Sequence, residues 1–175
     1  MLSDGVVTLR SWTEADAPAI VDCVADDAEM AGWLDRLPQP YTIADARLYI
    51  EHDGEETFAV TEADSERVVG SLGLTWQEPA VAEVGYWLRA DARGRGLMTR
   101  ALLLAVQHAF AKGANRIQLR ADPLNAASCR VAERAGFTSE GMLRQAHWNP
   151  RLGRHQDWVM YSLLAHEAAA DPDRG

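Results

Sequence analysis

The stretch Glu83–Lys112, EVGYWLRADARGRGLMTRALLLAVQHAFAK, decides the fold. It opens with an alternating, aromatic-rich run in which Val84, Tyr86 and Leu88 oppose Gly85, Trp87 and Arg89, the period of a β-strand. A turn containing Gly94 and Gly96 follows, then a long apolar helix. Glycine admits backbone conformations closed to other residues and removes side chains that would hold a ligand off. The amides of Arg95 to Thr99 fall in the first helical turn, where N–H groups lack internal partners and the macrodipole favours an anion. Arg93 and Arg95 add guanidinium forks suited to phosphate oxygens. Together these features read as a pyrophosphate cradle.

Other chemistries fail on spacing. A Walker loop needs GxxxxGK[ST], and the one lysine of the chain is Lys112. A dinucleotide fingerprint needs a third glycine where Thr99 stands. No GxSxG occurs, so a hydrolase serine is excluded. Cys23 and Cys129 show neither CxxC nor metal-type His spacing; they are expected to be reduced and buried, with no metal site.

Composition sets wider bounds. A chain of 175 residues, 47% hydrophobic, suits one domain, expected over residues 1–166 with a flexible tail at 167–175. No apolar run reaches spanning length, and Met1-Leu2-Ser3-Asp4 lacks a signal-peptide pattern, so the expectation is a cytoplasmic protein without a membrane partner. A net charge of −9 argues against nucleic acid. Residues 89–100 carry four arginines against Asp91, a local +3 that leaves −12 elsewhere. A basic patch in an acidic molecule suits a small anionic cofactor and a cationic amine substrate, although arginines at a turn can be merely solvated.

In chain order, Val6 to Arg10 reads as a strand and Thr13-Glu14-Ala15-Asp16 as a helix start leading to Ala28. A loop with Trp33, Leu34, Leu37, Pro38 and Pro40 precedes a helix capped by Thr42 and running through Tyr49 to His52, itself a surface residue. Thr57–Thr61 and Arg67–Trp76 form a hairpin, and Glu83–Leu88 pairs with its second strand. Gly113 ends the long helix, whose outer stripe is Arg100, Gln107 and His108. Arg116–Ala121 is a strand, and Asn125 starts a helix ending at Ala135-Gly136. Phe137–Leu143 and Gln156–Leu163 make a final strand pair separated by a long loop.

The run Arg93-Gly94-Arg95-Gly96-Leu97-Met98 resembles the R-x-x-G-x-[GA] acyl-CoA loop of the GNAT acetyltransferases, with Met98 in place of the usual small residue. Asn125 to Phe137 is similar to their N-x-x-S-x-x-[VL]-x-x-x-x-G-F segment, and Arg144-Gln145-Ala146 with Asp157 to Ser162 looks like the end of the ribosomal-protein N-terminal acetyltransferase branch. The resemblance implies an α/β fold with a mixed, mostly antiparallel seven-stranded sheet, splayed between strands 4 and 5, with helices on both faces. It implies acetyl-CoA as cofactor, its pantetheine arm along Trp87, Leu88 and Arg89, its pyrophosphate at Arg93, Gly94, Arg95, Gly96, Leu97, Met98 and Thr99, and its amide anchored by Asn125. The acceptor would be an amine-bearing peptide, protein or small molecule. A homodimer is left open.

Amide formation needs a neutral amine, and an α-amine titrates near ~7.7–8.0, within reach of a carboxylate acting through water. Glu83 holds the place of the branch's acidic residue; its bland alternative is a solvated strand end. Many relatives place a tyrosine four residues before the glycine of the G-F pair to protonate the thiolate, but here that position is Ala132. The resemblance turns attention to Ser128, although Asn125 and Ser128 also suit helix capping. His147 follows Arg144-Gln145-Ala146, where the branch often has a glutamate, and could act as base near neutral pH. Trp33, Leu37 and Trp148, with Asn149 and Arg151, are candidate acceptor contacts, and Trp33 and Leu37 could equally be core. The alternative function is a non-catalytic acyl-CoA sensor of the same fold.

Overall fold

Alternating apolar residues build one sheet in the order β1-β2-β3-β4-β5-β6-β8-β7 in the computed structural model, which describes residues 1–25, 27–34, 37–51 and 56–169. The strands are β1 (Leu2–Ser3), β2 (Val7–Ser11), β3 (Glu56–Glu62), β4 (Val68–Glu78), β5 (Val81–Leu88), β6 (Arg116–Ala121), β7 (Thr138–Asn149) and β8 (Arg154–Leu164). The helices are α1 (Ala17–Val24), α2 (Ala28–Trp33), α3 (Ile43–Ile50), α4 (Leu97–Ala111), α5 (Ala126–Arg134) and α6 (Ala165–Ala169).

Each face of the sheet is covered because each strand presents apolar residues to a helix layer. Val84, Ile117, Leu119 and Leu163 meet Leu102, Ala105 and Val106 of α4 and Ala132 of α5. On the opposite face Ile20 and Val24 of α1 meet Ala46 of α3, with Trp87 packed against them. Full burial of residues such as Leu102 or Ile117 contributes about 1.5–3 kcal/mol each. Asp16 fixes α1 to β2, accepting from Arg10 Nη1 and Nη2, both at 2.8 Å. Thr42 caps α3 through a reciprocal pair with Asp45.

The splay forms where two pairings compete. β5 and β6 are parallel partners at Val81↔Arg116, Ala82↔Ile117 and Glu83↔Gln118. Beyond Glu83, β5 stays with antiparallel β4 as far as Gly70↔Leu88, and β6 stays with antiparallel β8 as far as Ala121↔Val159. The two strands therefore part with their facing edges open.

Several expectations are corrected. The sheet has eight strands rather than seven, because Leu2–Ser3 pairs with Leu9 and Thr8 as an extra edge. Trp33 ends a helix, α2, where a loop was expected; Asp27 starts that helix by accepting from Met30 N at 2.8 Å. The final two strands are joined by a tight turn, not a long loop: β7 runs to Asn149 and β8 starts at Arg154. Polar alternation across residues 144–156 conceals this hairpin. The chain also continues past His166 as α6, with Ala168 against the core. His52 and residues 170–175 lie outside the described residues.

Candidate functional site

Gly94 and Gly96 adopt φ of 75° and 78°, the left-handed region where a Cβ is strained. A Cβ at either position would meet no protein atom within 4 Å, so the space above the turn is open. Gly96 caps α4, and the first bond into the helix is Arg100 N–H to Gly96 O at 3.2 Å. The N–H groups of Leu97, Met98 and Thr99 thus face the opening without helical partners. The side chains of Leu97 and Met98 are buried, which explains a large apolar residue at 98.

The arginines of this turn are paired with carboxylates. Arg93 donates through Nε to Leu88 O at 3.0 Å, through Nη1 to Glu29 at 2.9 Å, and through Nη2 to Asp27. Arg95 pairs with Glu62 at 2.6 Å, Arg100 with Asp4 at 2.8 Å and Arg89 with Asp91 at 2.6 Å. The local positive charge legible in residues 89–100 is balanced in the fold by carboxylates, three of the four sets being remote in sequence. Arg93 is thereby a clamp that holds α2 against the glycine turn.

Backbone polarity alternates along β5, the strand expected to carry the pantetheine arm. Arg89 N–H donates to Val69 O of β4 at 2.9 Å. Backbone groups alternate in direction along an antiparallel strand, so Trp87 also turns to β4 while Tyr86 and Leu88 turn to the splay. Side chains alternate as well. Even-numbered Tyr86 projects toward α5, and odd-numbered Glu83 projects to the opposite face.

A cleft runs from the glycine turn along the splay, walled by Tyr86 and Leu88 on one side, Asn125, Ser128 and Val131 on the other, with Met30, Trp33 and Leu34 of α2 above. Asn125 caps α5 by accepting from Ser128 N–H at 3.0 Å. The Tyr86 and Ser128 hydroxyls lie 3.1 Å apart, and the phenol also reaches Ser128 O at 3.3 Å. Burial pushes the Tyr86 phenol up to about 12 against the opposing pull of the Ser128 hydrogen bond. Tyr86 was not among the expected site residues. Its signal was present, a phenol in phase with the buried positions of the strand leading to the glycine turn. Ala132 is fully buried and contributes no polar group.

Glu83 is paired: Oε1 accepts from Arg120 Nε at 2.9 Å and from Nη2, and Oε2 accepts from Gln118 Nε2 at 3.0 Å. The Arg120 guanidinium lies over the Trp158 ring at 4.3 Å, and His147 stacks on the same indole at 4.4 Å and 16°. Glu83 and His147 therefore belong to one chain of contacts on the face opposite Tyr86.

Trp33 lines the cleft, its buried Nε1 without a hydrogen-bond partner among the described residues. Leu37 packs beside α1 and α3, and its carbonyl accepts from Arg151 Nη2, joining that loop to the β7–β8 turn. Trp148 is exposed, edge-on to His155, and does not line the cleft. Asn149 is buried and holds the turn by accepting from Arg151 N–H at 3.0 Å and Leu152 N–H at 3.1 Å.

The acetyltransferase (GNAT) domain family matches residues 7–138. This chain belongs to the GNAT acetyltransferases. It is similar to "Putative ribosomal N-acetyltransferase YdaF" of Bacillus subtilis (strain 168), 38% identical over 173 residues covering 92% of each chain. "Probable N-acetyltransferase YjcK" of the same organism is 35% identical over 100 residues, so that match spans only about half, 55%, of either protein. Among solved structures, the GNAT protein RimL, a ribosomal L7/L12 α-N-protein acetyltransferase in complex with coenzyme A, superimposes with a TM-score of 0.83 at 25% identity, covering 95% of this chain and 98% of that one. No helix among the described residues of this GNAT protein is long and apolar enough to cross a membrane.

Proposed function

We propose that this protein is an acetyl-CoA-dependent N-acetyltransferase whose acceptor is a primary amine, foremost the α-amine of a protein or peptide N-terminus. The observation that carries the reading is one continuous cleft joining the open N–H groups of Leu97–Thr99 to the Tyr86–Ser128 hydroxyl pair. The similarity to a ribosomal N-acetyltransferase and to RimL supports the N-terminal acceptor.

Acetyl-CoA would supply an acetyl group activated as a thioester. The amides of Leu97, Met98 and Thr99 would hold its diphosphate at the positive end of α4. The backbone groups of Tyr86, the N–H of Leu88 and the side-chain amide of Asn125 would orient its arm in the splay. Ser128 Oγ would donate a hydrogen bond at the sulfur, and Tyr86, 3.1 Å away, would aim that hydroxyl. With its phenol raised to about 12, Tyr86 stays protonated near neutral pH and acts as a fixed donor rather than as an acid. Little acid help is needed, because a thiol of pKa near ~8.5 leaves readily as thiolate. From the opposite face, Glu83 takes the amine proton through water at one carboxylate oxygen, and Arg120 and Gln118 fix that carboxylate in place. His147 and Trp158 extend the acceptor side of the site.

Thiol release from acetyl-CoA, measured across a panel of small amines and N-terminal peptides, tests the reading. The expected result is turnover with peptides and little with polyamines or aminoglycosides. Tight acetyl-CoA binding without turnover on any member would instead mark a sensor.

A further inference from the structure

The end of the sheet at which β6 has left β5 carries a chain of buried amides that the chemistry above does not use. Two backbone donors start it: the N–H groups of Arg151 and Leu152, in the β7–β8 turn, donate to Asn149 Oδ1 at 3.0 and 3.1 Å. Asn149 is left with its Nδ2, which donates to Gln156 Oε1 at 2.6 Å. Gln156 is left in turn with Nε2, which donates to Asp122 Oδ2 at 2.6 Å. The backbone thus dictates the direction of every bond, and the last place must hold an acceptor, here a carboxylate. Asn149 and Gln156 are 2% and 9% exposed, so a break would strand polar atoms away from water.

Asp122 carries the chain on to the cleft. Its Oδ1 accepts from Leu124 N–H at 2.8 Å, and its carbonyl accepts from Asn125 N–H at 2.9 Å. Asn125 caps α5 through Ser128 N–H, which sets where Ser128 Oγ meets the Tyr86 hydroxyl. An apolar plug could fasten the β7–β8 turn to the β6–α5 loop, but it would not impose one geometry; a fully paired polar chain does. We propose that Asp122, Gln156 and Asn149 are positioning residues for acetyl transfer, which tie the β7–β8 turn to the start of α5 and thereby hold Ser128 Oγ where the thioester sulfur binds. The inference rests on the reading above, in which Ser128 serves that sulfur.

The test is kcat for thiol release from saturating acetyl-CoA with the fastest amine of the panel, with the melting temperature of each protein recorded. Asp122→Asn keeps the shape but sets an NH2 group against one of the two donors that the carboxylate accepts. It should lower kcat by up to about tenfold, the whole contribution expected of Ser128, and should lower it no further in a Ser128→Ala background. Asp122→Asn/Gln156→Glu reverses that one bond: the new amide donates and the new carboxylate accepts on both sides, so kcat and melting temperature should both return toward wild type. If Asp122→Asn does not fold, Gln156→Met breaks the same chain one link away and carries the same expectations in both backgrounds. Wild-type kcat in the single variant overturns the proposal, as does an equal loss with and without Ser128, or a swap that does not restore kcat. In those cases a lower kcat in Ser128→Ala itself leaves the mechanism standing. No loss in Ser128→Ala, or no turnover with any amine, removes both.

Discussion

Arg120 Nε donates to Glu83 Oε1 at 2.9 Å, reaching from two residues beyond Gln118 back to the last β5 position paired with β6. A carboxylate so placed can be a structural counter-ion or a base held in position, and the two roles separate in a double variant. Glu83→Gln should lower kcat at pH 7 by roughly 10²-fold, the usual scale of general-base help, with partial recovery as pH rises and more amine is neutral. Adding Arg120→Gln removes the orphaned guanidinium, so stability should return while activity does not. Recovery of both would reduce Glu83 to a counter-ion and promote His147, whose His147→Ala variant should then carry the base-like loss.

Tyr86 and Ser128 act as one unit in the proposed mechanism, so their effects should not add. Ser128→Ala and Tyr86→Phe are each expected to lower kcat about 10-fold or less with little change in KM for acetyl-CoA, and without rescue at high pH. The double variant should be no worse than Ser128→Ala. Additive losses in a pH-resolved double-mutant cycle would mean the phenol does not work through Ser128.

Acetyl-CoA should stabilise the fold, because in the proposed site it would bridge the glycine turn and the α5 wall. At a hundredfold excess over its dissociation constant the linkage is about 2.7 kcal/mol. That corresponds to a rise in melting temperature on the order of 5–11 °C for a chain of this size. Absence of any rise at millimolar ligand, in protein freed of copurified cofactor, would contradict the donor site.

Gly96→Ala carries two separable costs. The positive φ of 78° makes any L side chain strained by about 1–2 kcal/mol, so the unliganded protein should melt a few degrees lower. The added methyl meets no protein atom, so a fall in acetyl-CoA affinity beyond that loss reports the ligand approaching this backbone. Unchanged affinity would move the diphosphate elsewhere.

Asp16 offers a pH test of the clamp that seats α1 on the sheet. The Arg10 guanidinium, outweighing the opposing effect of burial and aided by Thr13, holds the carboxyl down to about 2. A depressed carboxylate stabilises the fold above its unfolded pKa near ~3.9, and that contribution is lost as pH falls through about 2. Asp16→Asn should therefore cost on the order of 2 kcal/mol at pH 7 and almost nothing near pH 2. A pH-independent difference in denaturant midpoint would deny the ion pair its role.

Local pattern made most of the architecture readable. Apolar alternation marked β5 and β6, the glycine pair marked the start of α4, and Thr42 and Asn125 marked their helices, because these are properties of neighbouring residues and of backbone sterics. The family was legible for the same reason, since its loop and α5 blocks are contiguous runs. Polar stretches were less readable: the extension of β7 to Asn149 depends on pairing with β8, which no local period announces. Charge was the least readable of all. Whether Arg93 or Arg95 is free to meet a phosphate depends on Asp27, Glu29 and Glu62, which come into range only when α2 and β3 pack beside the glycine turn. In the same way the pairing of Tyr86 with Ser128, 42 residues away, exists only because two antiparallel partnerships pull β5 and β6 apart and leave room for α5 to close on the gap. Sequence alone determined the fold class and the place of the glycine turn at the head of α4, which follow from short-range periodicity and backbone freedom. The tertiary structure decided which charged and hydroxyl groups are left available for chemistry, because hydrogen bonds and ion pairs act over a few ångströms and their partners are assembled only by folding.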